Sequence, residues 1–288
     1  MSHIREVISS IHTTSATKQI TGAMKMVAAA KLSKVQQQCE QLQQYADQLN
    51  ALLRCLVTPS TVASIQDYTI KRPLKHMLVI VVSTSKGLCG ALNNNLLKSA
   101  QQCIRDRLSI FPASDVTVMP IGRKSQDFFA TQVFKRIEDH VDLLAQLTLV
   151  QVEDIVNKLI TDFSNHIYDE ILLVHGVCHG IAYQVPEVLS LLPIVYSPGT
   201  LSTHENLYIY EPSPQELLAL LVPQWLQIRC YQAFLSASTS EHAARMTAMH
   251  KATDNAESLL KDLRLTYNRT RQAAITQELT EIVAGIGS

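Results

Sequence analysis

Proline and glycine are nearly missing from both ends of this chain. Residues 1–58 hold one glycine, Gly22, and no proline, and residues 224–284 hold neither. Proline would remove a backbone donor and clash with the preceding turn, and glycine weakens a helix interior. Both stretches are therefore open to long, unbroken helices. Net charge is missing too, since 25 basic and 25 acidic side chains balance. Without a basic footprint, a nucleic-acid partner is excluded. No apolar run reaches the roughly 18 residues of a membrane span, so direct membrane insertion is not expected. Arg5 and Glu6 also interrupt any apolar stretch of a secretion signal. The six cysteines (Cys39, Cys55, Cys89, Cys103, Cys178, Cys230) are scattered and include no C-x-x-C pair. That spacing argues against a disulfide or metal framework and for small buried apolar side chains.

What the ends do contain is a stripe. In the first it runs Val35, Cys39, Leu42, Ala46, Leu49, Leu53, Leu56. In the second it runs Met246, Met249, Thr253, Ala256, Leu260, Leu263, Tyr267, Thr270, Ala274. Alternating steps of three and four average about 3.5 residues, the period of a left-handed supercoil. The two ends of one chain are expected to be each other's partner, as a long antiparallel left-handed coiled coil. The first helix should run from Ser2 to Leu56, roughly 80 Å at ~1.5 Å per residue, and stop before Pro59.

Between the ends the period changes. Met77–Val82 is an unbroken apolar run, as in a strand covered on both faces. Further strand patterns fall at Val116–Ile121, Ile171–His175 and Val188–Val195, with helical patterns at 90–108, 123–131 and 148–166. This alternation predicts a Rossmann-like open α/β domain. The fold class is thus α/β with a coiled coil, divided as 1–58 (N-terminal helix), 74–207 (central domain) and 208–288 (C-terminal helix). Ser213-Pro214-Gln215-Glu216 reads as a capping box that starts the last helix. Pro223 implies that this helix either starts twice or kinks. The last helix outruns the first, so one end should project. Its final segment carries Ile275, Leu279, Ile282, Val283 and Ile286, with no Lys or Arg after Arg271. An apolar tip of this kind calls for a surrounding partner.

Motifs for chemistry are weak. Ser85–Asn93 follows the first strand and opens a helix, as phosphate loops do, but it matches neither G-x-G-x-x-G nor a P-loop. A tight turn explains it, and Asn93-Asn94-Asn95 is expected to face solvent or a partner. His175, Cys178 and His179 offer three metal donors without a fourth at a fitting spacing. There is no G-x-S-x-G elbow. No catalytic residue, cofactor or metal site is expected. Charge is more telling: between Glu6 and Glu40 there are no acidic residues, while Lys18, Lys25, Lys31 and Lys34 alternate with small or apolar ones around Met24. A strip of one sign suits an acidic partner. Near the other end Arg271, Gln272 and Thr276 lie close together on the helix surface and could form a directional, polar grip.

These segments also carry a resemblance. Residues 17–32 (TKQITGAMKMVAAAKL) resemble the N-terminal signature of the F-type ATP synthase gamma subunit family. Residues 240–249 (SEHAARMTAM), 252–256 (ATDNA) and 267–283 (YNRTRQAAITQELTEIV) resemble its C-terminal blocks, and Gly87-Leu88-Cys89-Gly90 matches its loop. Departures are Lys86 for a common Arg, Ala91 for a common Gly, Gly22 for a common Lys, and the Gly285-Ile286-Gly287-Ser288 ending. At Gly22 a bend or a close approach is expected.

The resemblance implies a central rotor shaft inside three alpha and three beta subunits. Delta, epsilon and the membrane c-ring would be further partners. Partner contacts are implied at Lys18, Met24, Lys25, Lys31, Arg245, Arg271, Gln272 and Thr276. The chain itself would bind no cofactor and perform no bond chemistry. The bacterial-type start, without a transit peptide, implies the cytoplasmic face of a bacterial inner membrane. Two other readings stand beside this one: a non-rotary coiled-coil tether, and an α/β enzyme with a helical arm.

Overall fold

The computed structural model describes residues 2–58, 61–137, 140–180, 183–194 and 209–286. In chain order the elements are α1 (Ser2–Leu56), α2 (Gln66–Thr69), β1 (His76–Val82), α3 (Leu92–Ile110), β2 (Asp115–Ile121), α4 (Arg123–Ala130), β3 (Lys135–Arg136), α5 (Leu149–Ser164), β4 (Glu170–Cys178), β5 (Gln184–Leu192) and α6 (Pro214–Ile286). The contacts divide into two units: Lys31–Ala244, and Met1–Ala30 with Arg245–Ser288.

The larger unit is built on a five-stranded sheet of order β3-β2-β1-β4-β5. β1 pairs in parallel with β2 and β4, and β2 with β3. Successive β1 side chains point to opposite faces, as the pleat requires. Met77, Val79 and Val81 pack with Leu97, Ala100 and Ile104 of α3. Leu78, Ile80 and Val82 pack with Val152, Ile155, Leu159 and Phe163 of α5, and with Leu226, Ala233 and Phe234 of α6. This is the open α/β layer expected, with both faces covered. α5 starts with a capping box in which Thr148 and Gln151 satisfy each other's backbone donors.

Three details differ from the sequence reading. β5 pairs antiparallel with β4, because residues 179–183 are too few for a parallel crossover. It spans Gln184–Leu192 rather than Val188–Val195, and Val195 lies outside the described residues. β3 has two residues, too short to show a period. Of the two readings of Pro223, a second helix start is ruled out, since α6 is one helix from Pro214 to Ile286. Val222 and Leu226 on either side of it are buried in the core, and that packing offsets the lost backbone bond. The helix opens as expected on Ser213, whose Oγ accepts from the Glu216 N–H at 3.3 Å.

Within the larger unit α1 and α6 run antiparallel. Cys39 meets Thr239, Gln43 meets Gln232, and Asn50 accepts from the Trp225 indole at 2.7 Å. As numbers rise on α1 they fall on α6. Ala46, Leu49 and Ile228 form the seam, and the whole predicted α1 stripe from Val35 to Leu56 is buried or half-buried.

The close approach expected as one alternative at Gly22 is absent. A Cβ placed there meets nothing within 4 Å, so no close approach requires the glycine. Gly22→Ala should therefore stabilise the free chain by about 1 kcal/mol, the helix-propensity difference. A rise in the thermal midpoint checks this, and a fall would mean that the helix needs the glycine.

Candidate partner-contact surfaces

The loop after β1 is a closed structure. Leu88 and Gly90 both have positive φ, 64° and 61°. Asn93 staples them: its Oδ1 accepts from the Thr84 N–H at 3.1 Å, and its amide donates to Thr84 Oγ1 at 2.8 Å and Cys89 Sγ at 3.1 Å. Asn93 thus turns inward, contrary to the expectation that all three asparagines face out. Asn94 and Asn95 are exposed as expected. The Asn93 bonds use polar groups at the helix entry that a phosphate would otherwise meet.

His175, Cys178 and His179 do not converge either. Among the described residues no group of three or more His, Cys, Asp or Glu side chains is placed to hold a metal. His175 and Cys178 line a cleft of about 530 Å³ with Cys39, Glu187 and Arg229. Burial lowers the His175 pKa and raises those of both thiols. A thiol held protonated is a poor nucleophile and a poor metal ligand. Arg229 stacks on Trp225 at 4.9 Å.

The smaller unit holds seven of the eight predicted contact residues. Three contacts join its helical segments: Lys18 Nζ to Glu257 Oε2 at 3.2 Å, Thr253 Oγ1 to Thr21 Oγ1 at 2.9 Å, and Lys25 Nζ to His250 Nδ1 at 3.3 Å. Again the numbers run in opposite directions, so the pair is antiparallel. Thr21, Ala28, Met249, Ala256 and Leu260 are buried. The Lys18 hydrogen bond and charge, with Lys261 nearby, hold the Glu257 carboxyl below its ordinary pKa.

The expected basic strip is therefore split. Lys18 and Lys25 lean onto α6, and Met24 is half-buried beside them. Lys31, in the larger unit, is exposed. One outward face of the smaller unit is apolar: Ile20 is 60% exposed, Met26 69% and Val27 58%, with Ala23 and Ala30 also exposed. Steps of three and four from Ile20 through Ala23 and Val27 to Ala30 place these on one helix face. An apolar stripe that no described residue covers points to a partner. The sequence reading missed it, because alanine and methionine do not announce which side of a helix is buried.

At the far end of α6 the register of the three contacts sets Ser2 level with about residue 273. The turns from Ala274 onward thus run past the start of α1, as the unequal lengths implied. Ile275, Leu279 and Ile282 there are about half exposed or more. Arg271, Gln272 and Thr276 lie together and exposed at the base of this overhang. The Arg271 guanidinium reaches the Tyr267 ring at 5.9 Å. Thr276 Oγ1 donates to the Gln272 carbonyl at 2.9 Å, so it can only accept from a partner. Arg271 and Gln272 keep donors to offer. Arg245 is half-buried.

Comparison with known proteins bears on all of this. A family profile described as "ATP synthase" matches residues 3–288. The protein named ATP synthase gamma chain in Amoebophilus asiaticus is 40% identical, over 99% of this chain and 98% of its own. Its namesake in Flavobacterium johnsoniae is 37% identical over the same shares. A chain in the mitochondrial ATP synthase of Euglena gracilis has a similar fold, with TM-score 0.64 at 19% identity, covering 99% of this chain and 94% of its own. A chain in the central stalk and c-ring of the Tetrahymena thermophila mitochondrial ATP synthase has TM-score 0.57 at 21% identity, covering 81% and 99%.

Proposed function

Because this chain belongs to the family of ATP synthase gamma chains, we propose that it is the central rotor shaft of a membrane ATP synthase. It couples proton flow across the membrane to ATP synthesis or hydrolysis on the beta subunits. The observation that carries this reading is the overhang of α6, with Ile275, Leu279 and Ile282 exposed beyond the start of α1. An exposed apolar helix tip like this marks an interaction surface, and a surrounding sleeve would cover it. Three alpha and three beta subunits would supply the sleeve. A single asymmetric shaft cannot touch three identical beta subunits alike. Each shaft angle thus stabilises a different conformation of each beta subunit, and turning the shaft drives each through its nucleotide affinities in sequence.

The contact residues follow from the exposed surfaces. Met24, Lys25, Lys31 and the outward stripe meet the acidic loops of beta. Arg271, Gln272 and Thr276 grip the sleeve near the tip. Lys18 holds the contacting segments together through Glu257, and Arg245 is a further partner contact. The central α/β domain at 74–207 sits toward the epsilon subunit and the c-ring, and delta completes the assembly. The chain is a non-catalytic subunit of the ATPase complex. No described helix is long and apolar enough to cross a membrane. The shaft is held at the cytoplasmic face of the bacterial inner membrane through its partners.

Coexpression with alpha and beta subunits tests this. The expected result is one copy of the chain with three of each partner, hydrolysing ATP. Recovery of the chain alone, or as a self-paired coil, would instead support the tether reading. That reading explains the seam but leaves the exposed apolar overhang and outward stripe without a purpose.

A further inference from the structure

We propose that His250 is a positioning residue for Lys25, a latch set by protonation. His250 Nδ1 lies 3.3 Å from the Lys25 ammonium on α1 and 3.4 Å from Asp254 Oδ2 one turn along its own helix. A ring nitrogen carries either a lone pair or a hydrogen. The ammonium only donates, so its contact needs the lone pair, in the neutral ring with its hydrogen on Nε2. The carboxylate only accepts, so its contact needs a hydrogen on Nδ1. The two contacts exclude each other.

Neutral His250 can therefore hold Lys25 against α6. Protonated His250 cannot: its Nδ1–H turns to Asp254, and its charge faces the ammonium at contact distance. Lys25 is then released into solvent. The surrounding charges leave this choice to His250. From α1 only Lys25 and Lys18 are basic here, and Lys18 is committed to Glu257. From α6, Glu257 is held between Lys18 and Lys261. Lys251 and Arg245 add positive charge, and Asp254 is the carboxylate His250 reaches. Histidine is the side chain whose charge ordinarily changes between about pH 5 and 8, so the latch opens on acidification. His250 itself is exposed, open to solvent protons.

Lys25 sits between half-buried Met24 and exposed Met26 on the segment assigned above to an acidic partner loop. Acidification then adds one mobile cation to that face and strengthens its hold on the partner's carboxylates. This consequence rests on the rotor-shaft reading, whereas the latch itself does not.

The free chain tests the latch by amine labelling at about pH 6 and about pH 8. Mass spectrometry reads Lys25 against exposed Lys34 in the same molecule. Release and the neighbouring charge both raise Lys25 reactivity, so the ratio should be about threefold higher at the lower pH, the scale of an exposed ion pair. In His250→Gln, which stays neutral and keeps an acceptor, the ratio should stay low at both values. In His250→Lys it should stay high. A pH-independent ratio in the wild type, or a rise of the same size in His250→Gln, overturns the latch. In the assembled complex, the ratio of ions pumped to ATP hydrolysed should change with pH in the wild type and stay flat in His250→Gln. Identical profiles would overturn the partner role alone, and failure to assemble at all would count against the rotor reading.

Discussion

Gly122→Ala should destabilise the free chain by roughly 4 kcal/mol, the opposite sign to the same substitution at Gly22. Gly122 follows β2 with φ 93° and ψ 145°. That region is essentially reserved for glycine and costs any other residue about 1–3 kcal/mol. A Cβ there would also run into the Ser83 carbonyl, with the carbonyl carbon at 2.7 Å and Ser83 Oγ at 2.9 Å. Overpacking against backbone adds about 1–3 kcal/mol more. The contact cannot relax by a rotamer change, because Ser83 is tied into the strand ends. Its N–H donates to the Ile121 carbonyl at 2.8 Å, and its hydroxyl binds Ser125 at 2.9 Å. Urea unfolding of both alanine variants checks the contrast. A Gly122→Ala chain within about 1 kcal/mol of the wild type would mean that β2 and the strand beside it are not this close.

Arg271→Ala should lower ATP hydrolysis by the assembled complex about tenfold or more, and Gln272→Ala should lower it in the same direction. Free-chain stability should change by less than about 0.5 kcal/mol in both, because the side chains are exposed and bury no packing. The reason is directionality. An apolar tip in an apolar sleeve slides at nearly constant energy, whereas a guanidinium on a carboxylate binds at one geometry and resists turning. At 5.9 Å the Tyr267 ring holds Arg271 loosely, so the guanidinium remains available to a partner. Thr276 has already donated its hydroxyl to Gln272, and Thr276→Ala should have the smallest effect of the three. Turnover unchanged in a complex of full composition would remove the grip. A melting temperature that falls in step with turnover would reduce these residues to local helix support.

The proposed site was legible in unequal parts. Lys18, Lys25 and Lys31 stand out as cations because no acidic residue lies between Glu6 and Glu40. Their division between seam and surface did not, since it depends on where Glu257 and His250 fall on another segment more than 200 residues away. The tip was visible because Ile275, Leu279 and Ile282 follow the last arginine. The outward stripe of Ile20, Ala23, Val27 and Ala30 was hidden, because its spacing matches that of a buried face. Gly122 escaped notice for a different reason. Nothing in the residues around it marks a positive φ, and the clash that requires it comes from Ser83, just past the end of the neighbouring strand β1.

The sequence alone determined the quantities that periodicity and punctuation encode. A helical period without proline set α1 to Ser2–Leu56, and a doubly covered apolar run set β1. Both depend on residues within a few positions of each other, where backbone geometry repeats regardless of what lies beyond. Tertiary structure decided everything that depends on a distant partner. It carried α6 through Pro223, because burial of Val222 and Leu226 outweighs one missing hydrogen bond. It turned β5 antiparallel, because residues 179–183 cannot cross the sheet. It set Lys25 and Asp254 about one imidazole nitrogen, because an antiparallel register places residue 25 opposite residue 250. Register is a property of two segments at once, and no local pattern in either one contains it.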